Sequence, residues 1–461
     1  MQSPSVLITI IFILINNFPL RRGQKSTDDL IKKFSDCDGT NMIFENSDPS
    51  IEENFLNDSK ITCLNLENRG IVRISPEAFD KIPNLENLNL ANNRLKKEQF
   101  LSLGKHNNLK LLVLDKAIRG GYQNQTGFKN YLKILELKGN FPKLEKLFLR
   151  NNSIAIISLR GGNSVFPNLT HLFINNNEIT NESPYFDRNF HWLPKSLQEL
   201  HLENNDLDYF GLGNFPKLNF ISVDNNRITD ITLWGMENLL YFTAKKNEIS
   251  WISDFSKSPN LEILNLSDNK IRSLNHIHRM PSLRELLLDN NLLHSIPRIE
   301  EIPKIKILSL KCNEIRILAK EDFASMGTLE ELYLDNNRIR NIVGGLFENL
   351  VNLKIVSLEQ NKLTNIQYGW MVNLRNLEQV NLMGNFLPNL RSLGLRRNDG
   401  GLKKVRIQLD RKFQERMMIF REKLMANVTI DLNSESVVKL CRKHVTKAIH
   451  PFDWIASQKH W

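Results

Sequence analysis

The sequence predicts an α/β solenoid: a curved horseshoe with a parallel concave β-sheet, about fourteen repeats, an N-terminal cap and a helical C-terminal tail. Three observations carry this. The aliphatic pattern LxxLxLxxNxL recurs with first positions at Ile61, Leu85, Leu109, Leu144, Leu169, Leu197, Leu218, Leu239, Leu261, Leu283, Ile305, Leu329, Leu353 and Leu377. Its spacing runs from 21 to 28 residues with one interval of 35. Twelve of the fourteen copies carry Asn at the ninth position, Arg69 and Ala117 being the departures.

Each part of the pattern has a physical reason. Alternation at the fourth and sixth positions is strand periodicity, so the leucines face one way and the intervening residues the other. Successive strands stacked in parallel need a crossover, which the roughly 12 to 18 residues after each Asn provide. In the copy starting at Leu329 the return path brings Ile339, Ile342, Phe347 and Leu350 back to the core. One such unit cannot bury its own apolar face, so stability comes from stacking and the ends need caps. The Asn amide satisfies backbone groups at the bend leaving each strand, where an unpaired buried group costs about 1 to 3 kcal/mol.

On these residues, 61 to about 390 resemble the leucine-rich-repeat family, the 24-residue copies resembling its extracellular "typical" subtype. The family implies a non-enzymatic binding scaffold that uses its concave face. Repeats followed by a cysteine-bearing helical tail are also similar in layout to the secreted leucine-rich immune proteins of insects, which implies a role in innate immunity. The 21- to 22-residue copies between 197 and 304 resemble those of cytoplasmic phosphatase-binding solenoids, which implies an intracellular regulator instead. An extracellular matrix or neuronal adhesion protein is a third reading.

The first segment, 1–23, reads as a signal peptide: "VLITIIFILI" is an apolar run of ten residues, too short to span a membrane. Sequons at Asn57, Asn124, Asn151, Asn168, Asn181, Asn265 and Asn427 fit a secreted glycoprotein. No later apolar run reaches the length of a membrane span. The expected location is extracellular.

Four cysteines are present. Cys37 and Cys63 flank the start of the repeats and are expected to pair in a cap over 24–60. Cys312 and Cys441 remain. Cys312 stands one place before the ladder Asn, on the side expected to be exposed, and three outcomes stay open for it: an internal bond to Cys441 tying the tail across the concave face, a bond to another chain in a homo- or hetero-oligomer, or two unpaired buried thiols.

Beyond 390 the pattern is lost. Residues 391–461 hold 16 Lys plus Arg against 7 Asp plus Glu, so nearly all of the chain's net charge of +10 is local to this tail. Leu409, Phe413, Met417, Phe420 and Leu424, and then Val438, Cys441 and Val445, follow helical spacing. Two helices capping the last repeat are expected, with Ser434 as an N-cap and a basic outer face. Nucleic acid is a poor partner for a secreted chain; an acidic protein, glycan or membrane surface fits better. Two insertions interrupt the repeats: 120–143, expected to carry a convex-side helix from about Phe128, and 180–196, expected to be a loop with an aromatic anchor.

The third, fifth, seventh and eighth strand positions are free of core demands, so function should show there. Val113, Phe148, His171, Phe173, His201, Phe220 and Tyr241 form an aromatic and apolar set suited to a protein ligand or another repeat chain, unless an insertion loop or the tail folds over them. The seventh column is mainly acidic, with Glu67, Asp115, Glu203, Asp224, Asp289, Asp335 and Glu359 against Arg150, Lys245 and Lys311. Such a column attracts a basic partner or the chain's own tail, or is simply a solvated face. No phosphate-binding loop, nucleophile elbow or zinc-protease motif occurs, and His276 with His278 lacks further ligands at metal spacing. No enzyme, cofactor or metal is expected.

Overall fold

The computed structural model describes residues 49–96, 106–118, 141–159, 165–181, 193–252, 255–274 and 279–387. It also describes residues 34, 37, 38, 103, 134–137, 190, 277, 404–407 and 429–431. The chain divides into two compact units, 1–174 and 175–461.

In the first unit the main sheet is parallel and ordered Cys63–Asn65, Asn87–Asn89, Leu111–Val113, Lys146–Phe148, His171–Phe173. The second unit continues the same scheme from Glu199–His201 through Phe220–Ser222, Tyr241–Thr243, Ile263–Asn265, Glu285–Leu287, Ile307–Ser309, Glu331–Tyr333 and Ile355–Ser357 to Gln379–Leu382. Each of the fourteen sequence copies supplies one strand, over its third to fifth positions. The fourth- and sixth-position leucines are buried throughout, as Leu308 and Leu310 illustrate.

Register is exact from turn to turn because the ladder asparagines bind across turns. The Asn313 carboxamide oxygen accepts the Leu293 N–H at 3.0 Å. Its NH2 donates to Leu288 O at 2.9 Å and to Leu310 O at 3.1 Å. The same pattern holds at Asn226, Asn247, Asn269, Asn291, Asn337, Asn361 and Asn385. A second series lies one residue before the first Leu: Asn84, Asn108, Asn168, Asn238, Asn260, Asn352 and Asn376 each donate to a carbonyl of the preceding turn.

The eighth position is left-handed in every copy, with φ between 49° and 66°. Eight of these residues are Asn and one is Gly384, the types that tolerate this conformation best. Lys116, Lys246, Asp268, Cys312 and Gln360 adopt it as well. Cys312 therefore occupies a bend, rather than a strand position exposed on the sheet.

The crossovers correct the α/β expectation. Among the described residues no α-helix occurs, 3₁₀ geometry being found at Phe34 and in the turn Lys320–Phe323, and the molecule is a parallel β-solenoid. Returns of this length cross the unit in turns and short strands that form second ladders: Tyr209–Gly213 with Asp230–Trp234 and Trp251–Ile252, and Asn341–Ile342 with Asn365–Ile366. Stacked rings fill the space between return path and main sheet. In the first unit Phe79, His106, Phe141 and Phe166 succeed one another at 5.7, 6.3 and 5.6 Å, and burial pulls the His106 pKa down. In the second, Phe323, Phe347 and Trp370 do the same.

The 120–143 insertion also differs from expectation. Ile134–Leu137 is a strand, paired in parallel with Ile156–Leu159. Leu135, Glu136 and Leu137 alternate as a strand requires, which suits a return-path ladder. Of the 182–192 loop, Phe190 alone is described; it is buried, 6.1 Å from the Phe210 ring.

The cap is built as a preceding turn. Asp38 bridges to Leu64 in the main sheet, and Ser50–Ile51 pairs with Arg73–Ile74 on the return side. The Cys37–Cys63 disulfide ties the two, with a Cα–Cα distance of 5.2 Å.

The sheet also continues past residue 390, where the sequence pattern was read as ending. Lys404–Ile407 pairs with Gln379–Leu382, and Thr429–Asp431 pairs with Lys404–Ile407, both in parallel. The register advances by 25 residues each time, a repeat length, but Asp410 and Glu435 stand where Asn would mark the copy. The expected helical stripes at 409–424 and 438–445 lie outside the described residues.

Candidate protein-binding face

The side of the main sheet turned away from the leucine core, here termed its distal face, carries the third, fifth and seventh positions. In the first unit this face is covered rather than open. Val113, Phe148 and Phe173 are 1 %, 0 % and 4 % exposed. They form one cluster with Phe34, Ala91 and Leu111, and Cys37 and Cys63 pack against it. The Phe148 and Phe173 rings stack at 4.3 Å, and the Asn65 NH2 donates to Phe34 O at 3.0 Å, drawing the cap segment onto the face. The expectation that Val113, Phe148 and Phe173 are free for a ligand is thus corrected: the cap uses these apolar side chains as a second small core. Arg150 lies over the Phe148 ring and pairs with Asp115 at 2.6 Å. His171 is half-buried, its Nδ1 2.7 Å from the Thr170 hydroxyl.

The second unit presents a different face. His201 sits between two carboxylates of its own strand segment, with Nδ1 3.2 Å from Glu203 and Nε2 3.6 Å from Glu199. Its ring stacks on Phe220 of the next strand at 4.8 Å. Burial alone lowers the imidazole pKa, but hydrogen bonds and charge from Glu199 and Glu203 outweigh it and bring the value to about 9. His201 is therefore a cation at neutral pH.

From Phe220 the third position runs in exact register through Tyr241, Ile263, Glu285, Ile307, Glu331 and Ile355. All are half-buried, so this stripe offers continuous apolar contact broken by carboxylates. The sequence reading singled out Phe220 and Tyr241 and missed the isoleucines, although the third column showed them.

The acidic seventh column is not a plain solvated face. Asp224 accepts from the Thr243 hydroxyl at 2.6 Å and the Lys245 N–H at 2.6 Å. Asp289 accepts likewise from Ser309 at 2.5 Å and Lys311 at 2.9 Å. Asp335 accepts from the Ser357 hydroxyl, and from the Glu359 N–H at 3.0 Å. A carboxylate at the seventh position thus takes the hydroxyl of the fifth and the amide of the seventh position one turn on. Burial raises the pKa of all three acids, Asp224 to about 6. Lys311 lies 3.8 Å from Asp335 and 4.1 Å over the Tyr333 ring.

Cys312 is disulfide-bonded, and among the described residues no cysteine is free. Of the sequon residues, Asn57, Asn151 and Asn168 are exposed and Asn181 is half-exposed. Asn265 is corrected: it is 5 % exposed on the distal face, its oxygen accepting the Ser267 N–H, which leaves no room for a glycan. Asn124, Asn427, Cys441 and the His276–His278 pair lie outside the described residues. Among the described residues no group of three His, Cys, Asp or Glu is arranged to hold a metal, and no helix is long and apolar enough to cross a membrane.

Comparisons with known proteins follow the same residues. A leucine-rich-repeat model matches 252–293 and 327–387, a two-copy leucine-rich-repeat model matches 142–186, and a BspA-type leucine-rich-repeat region matches 31–119. Mouse podocan is 30 % identical over 213 residues, 41 % of this chain; the match spans a third of podocan. A solved leucine-rich-repeat protein from Leptospira interrogans superposes with a TM-score of 0.52 at 21 % identity, covering 81 % of this chain and 96 % of that one. That likeness speaks for the fold alone.

Proposed function

The chain is a leucine-rich-repeat protein, and from that premise we propose that it is a secreted scaffold that binds another protein through the distal face of its second unit. The contact is centred on His201, Phe220, Tyr241 and Ile263. One observation carries this reading: in-register, half-exposed aromatic and aliphatic side chains stand among Glu199, Glu203, Asp224 and Asp268, against Lys245 and Lys246 at the corresponding positions. An apolar centre with an acidic surround suits a partner presenting aromatic or aliphatic side chains flanked by Lys and Arg.

Secretion is supported by the leader-like run, the Cys37–Cys63 bond and the oxidised Cys312, since such bonds persist in oxidising compartments. The same bonds weigh against the cytosolic regulator. Whether the scaffold serves innate immunity or matrix adhesion is decided by the partner. The test is affinity capture from extracellular fluid with the full secreted chain and with a Tyr241→Ala, Ile263→Ala variant of unchanged circular dichroism. The proposal expects capture of a basic protein by the wild type and at least a tenfold weaker capture by the variant. Equal capture by both would move the contact elsewhere.

A further inference from the structure

We infer that the outward face of the return-path ladder in the second unit is a glycan platform. Its ligand is a neutral pyranose chain with equatorial linkages, stacked on Trp234 and Tyr209. This site is separate from the protein contact on the distal face and does not depend on it.

Side chains alternate along the ladder strands Tyr209–Gly213, Asp230–Trp234 and Trp251–Ile252. Phe210, Leu212, Ile231, Leu233 and Ile252 are buried. The parallel register puts Tyr209, Asp230 and Trp251 in one outward row, and Gly213 beside Trp234 in another. Gly211 and Gly213 stand on the same face, although glycine within a strand costs backbone entropy and packs nothing. Neither has a left-handed φ, so the backbone conformation does not call for glycine. The rings do. A Cβ on Gly213 would collide with Cδ2, Cε2 and Cζ2 of Trp234, and one on Gly211 with Cε1, Cζ and Oη of Tyr209. Cδ2 and Cε2 are the carbons shared by the two indole rings, so both can be met that closely only through the ring face. The Trp234 indole therefore lies flat across the neighbouring strand with its other face outward, and the residue is 57 % exposed.

A ring laid on bare backbone offers its electron-rich face, which attracts the positive ends of C–H bonds. A pyranose whose substituents are all equatorial presents such C–H groups as one flat surface. Asp230, between Tyr209 and Trp251, and Thr232 add a carboxylate and a hydroxyl for the sugar hydroxyls. Asp230 Oδ2 accepts the Thr229 hydroxyl at 2.6 Å. Size points the same way. With strands about 4.8 Å apart and about 3.3 Å per residue, the platform covers roughly 200 Å². A stable protein interface takes about 800 Å² per partner, so neither a second copy nor a folded protein is the occupant. Charge narrows the choice further. The three strands, "YFGLG", "DITLW" and "WI", carry one carboxylate and no Lys, Arg or His, which opposes a sulfated or uronic-acid chain.

The test is calorimetric titration of the full chain with cellohexaose, chitohexaose, heparin and a hexa-arginine peptide. Saturable binding of at least one of the two neutral hexasaccharides is expected, with heparin and the peptide weaker. Affinity should fall at least tenfold in Trp234→Ala, whose removed ring is exposed, and by a smaller factor in Trp234→Phe. Gly213→Ala, which keeps the indole but lifts it off the strand, should lose at least threefold, with circular dichroism unchanged in each variant. No binding of either hexasaccharide, binding that Trp234→Ala leaves intact, or a preference for heparin or the arginine peptide each overturns the inference. The Tyr241→Ala, Ile263→Ala chain should bind the sugar as the wild type does, so failure of this site and failure of the protein contact are read separately.

Discussion

Replacing Asn313 by Ala removes four hydrogen bonds, but only one group is orphaned. Leu288 O keeps a donor in Asn291, at 3.1 Å, Leu310 O keeps one in Asn337, at 2.8 Å, and Lys311 O keeps the Asn290 N–H, at 2.7 Å. The Leu293 N–H, buried and bonded to the Asn313 oxygen, has no replacement acceptor in that geometry. An unsatisfied buried N–H costs about 1 to 3 kcal/mol, and the three lost amide donations, each to a carbonyl that keeps another donor, add roughly 0.5 kcal/mol apiece, giving a loss of about 2.5 to 4.5 kcal/mol. Equilibrium urea unfolding followed by far-ultraviolet circular dichroism reads the total. Hydrogen exchange at the Leu293 amide reads it locally, as a protection loss of about 70-fold to 2000-fold. Asn352, whose exposed NH2 donates to Gly327 O at 2.8 Å, is the control, and its Ala variant is expected to lose less than about 1 kcal/mol. Equal losses at the two sites would refute the idea that the ninth-position amide fixes one turn on the next.

Further outcomes follow from the same geometry. Asp224 titrates near 6 because burial disfavours its charge, so its favourable contribution is complete below about pH 4 and is lost as pH rises through 6. Urea midpoints of wild type and Asp224→Asn should converge or cross between pH 4 and 7, with a relative change of about 3 kcal/mol. His201, held near 9 between Glu199 and Glu203, contributes fully below pH 6.5 and loses that contribution as pH rises through 9; His201→Gln should flatten the stability profile over that interval. Reducing the cap by Cys63→Ser opens a loop between residues 26 apart, a loss of roughly 3 to 4 kcal/mol by loop entropy, read as a lowered urea midpoint. Glycosidase release in heavy-oxygen water should mark Asn57 and Asn168 among the described sequons, and never Asn265.

Much of this architecture was legible in the residues. The fourth- and sixth-position apolar residues, with the ninth-position Asn in twelve copies, gave every one of fourteen strands its place, because core burial and backbone satisfaction constrain those columns. Two features hid in plain view. The Asn doublets at Asn92-Asn93 and Asn290-Asn291 signal a left-handed residue before the ladder, but Lys116, Lys246 and Cys312 at the same place mask it. The Thr and Ser residues of the fifth column, Thr243, Ser309 and Ser357, are each paired with an acid one turn back, a contact that only the register reveals. The cover over Phe148 and Phe173 was not legible, because it comes from Phe34, more than a hundred positions away and outside the repeat. The strands at 404–407 and 429–431 escaped because their alternation is short and no Asn closes the copy.

The binding face is tested most directly by hydrogen exchange on the full chain with and without its captured protein partner. Slowed exchange across Phe220–Ser222, Tyr241–Thr243 and Ile263–Asn265 is the predicted footprint. Slowing confined to the return-path ladder Tyr209–Gly213 and Asp230–Trp234, where Trp234 is exposed, with those three strands unchanged, would contradict it.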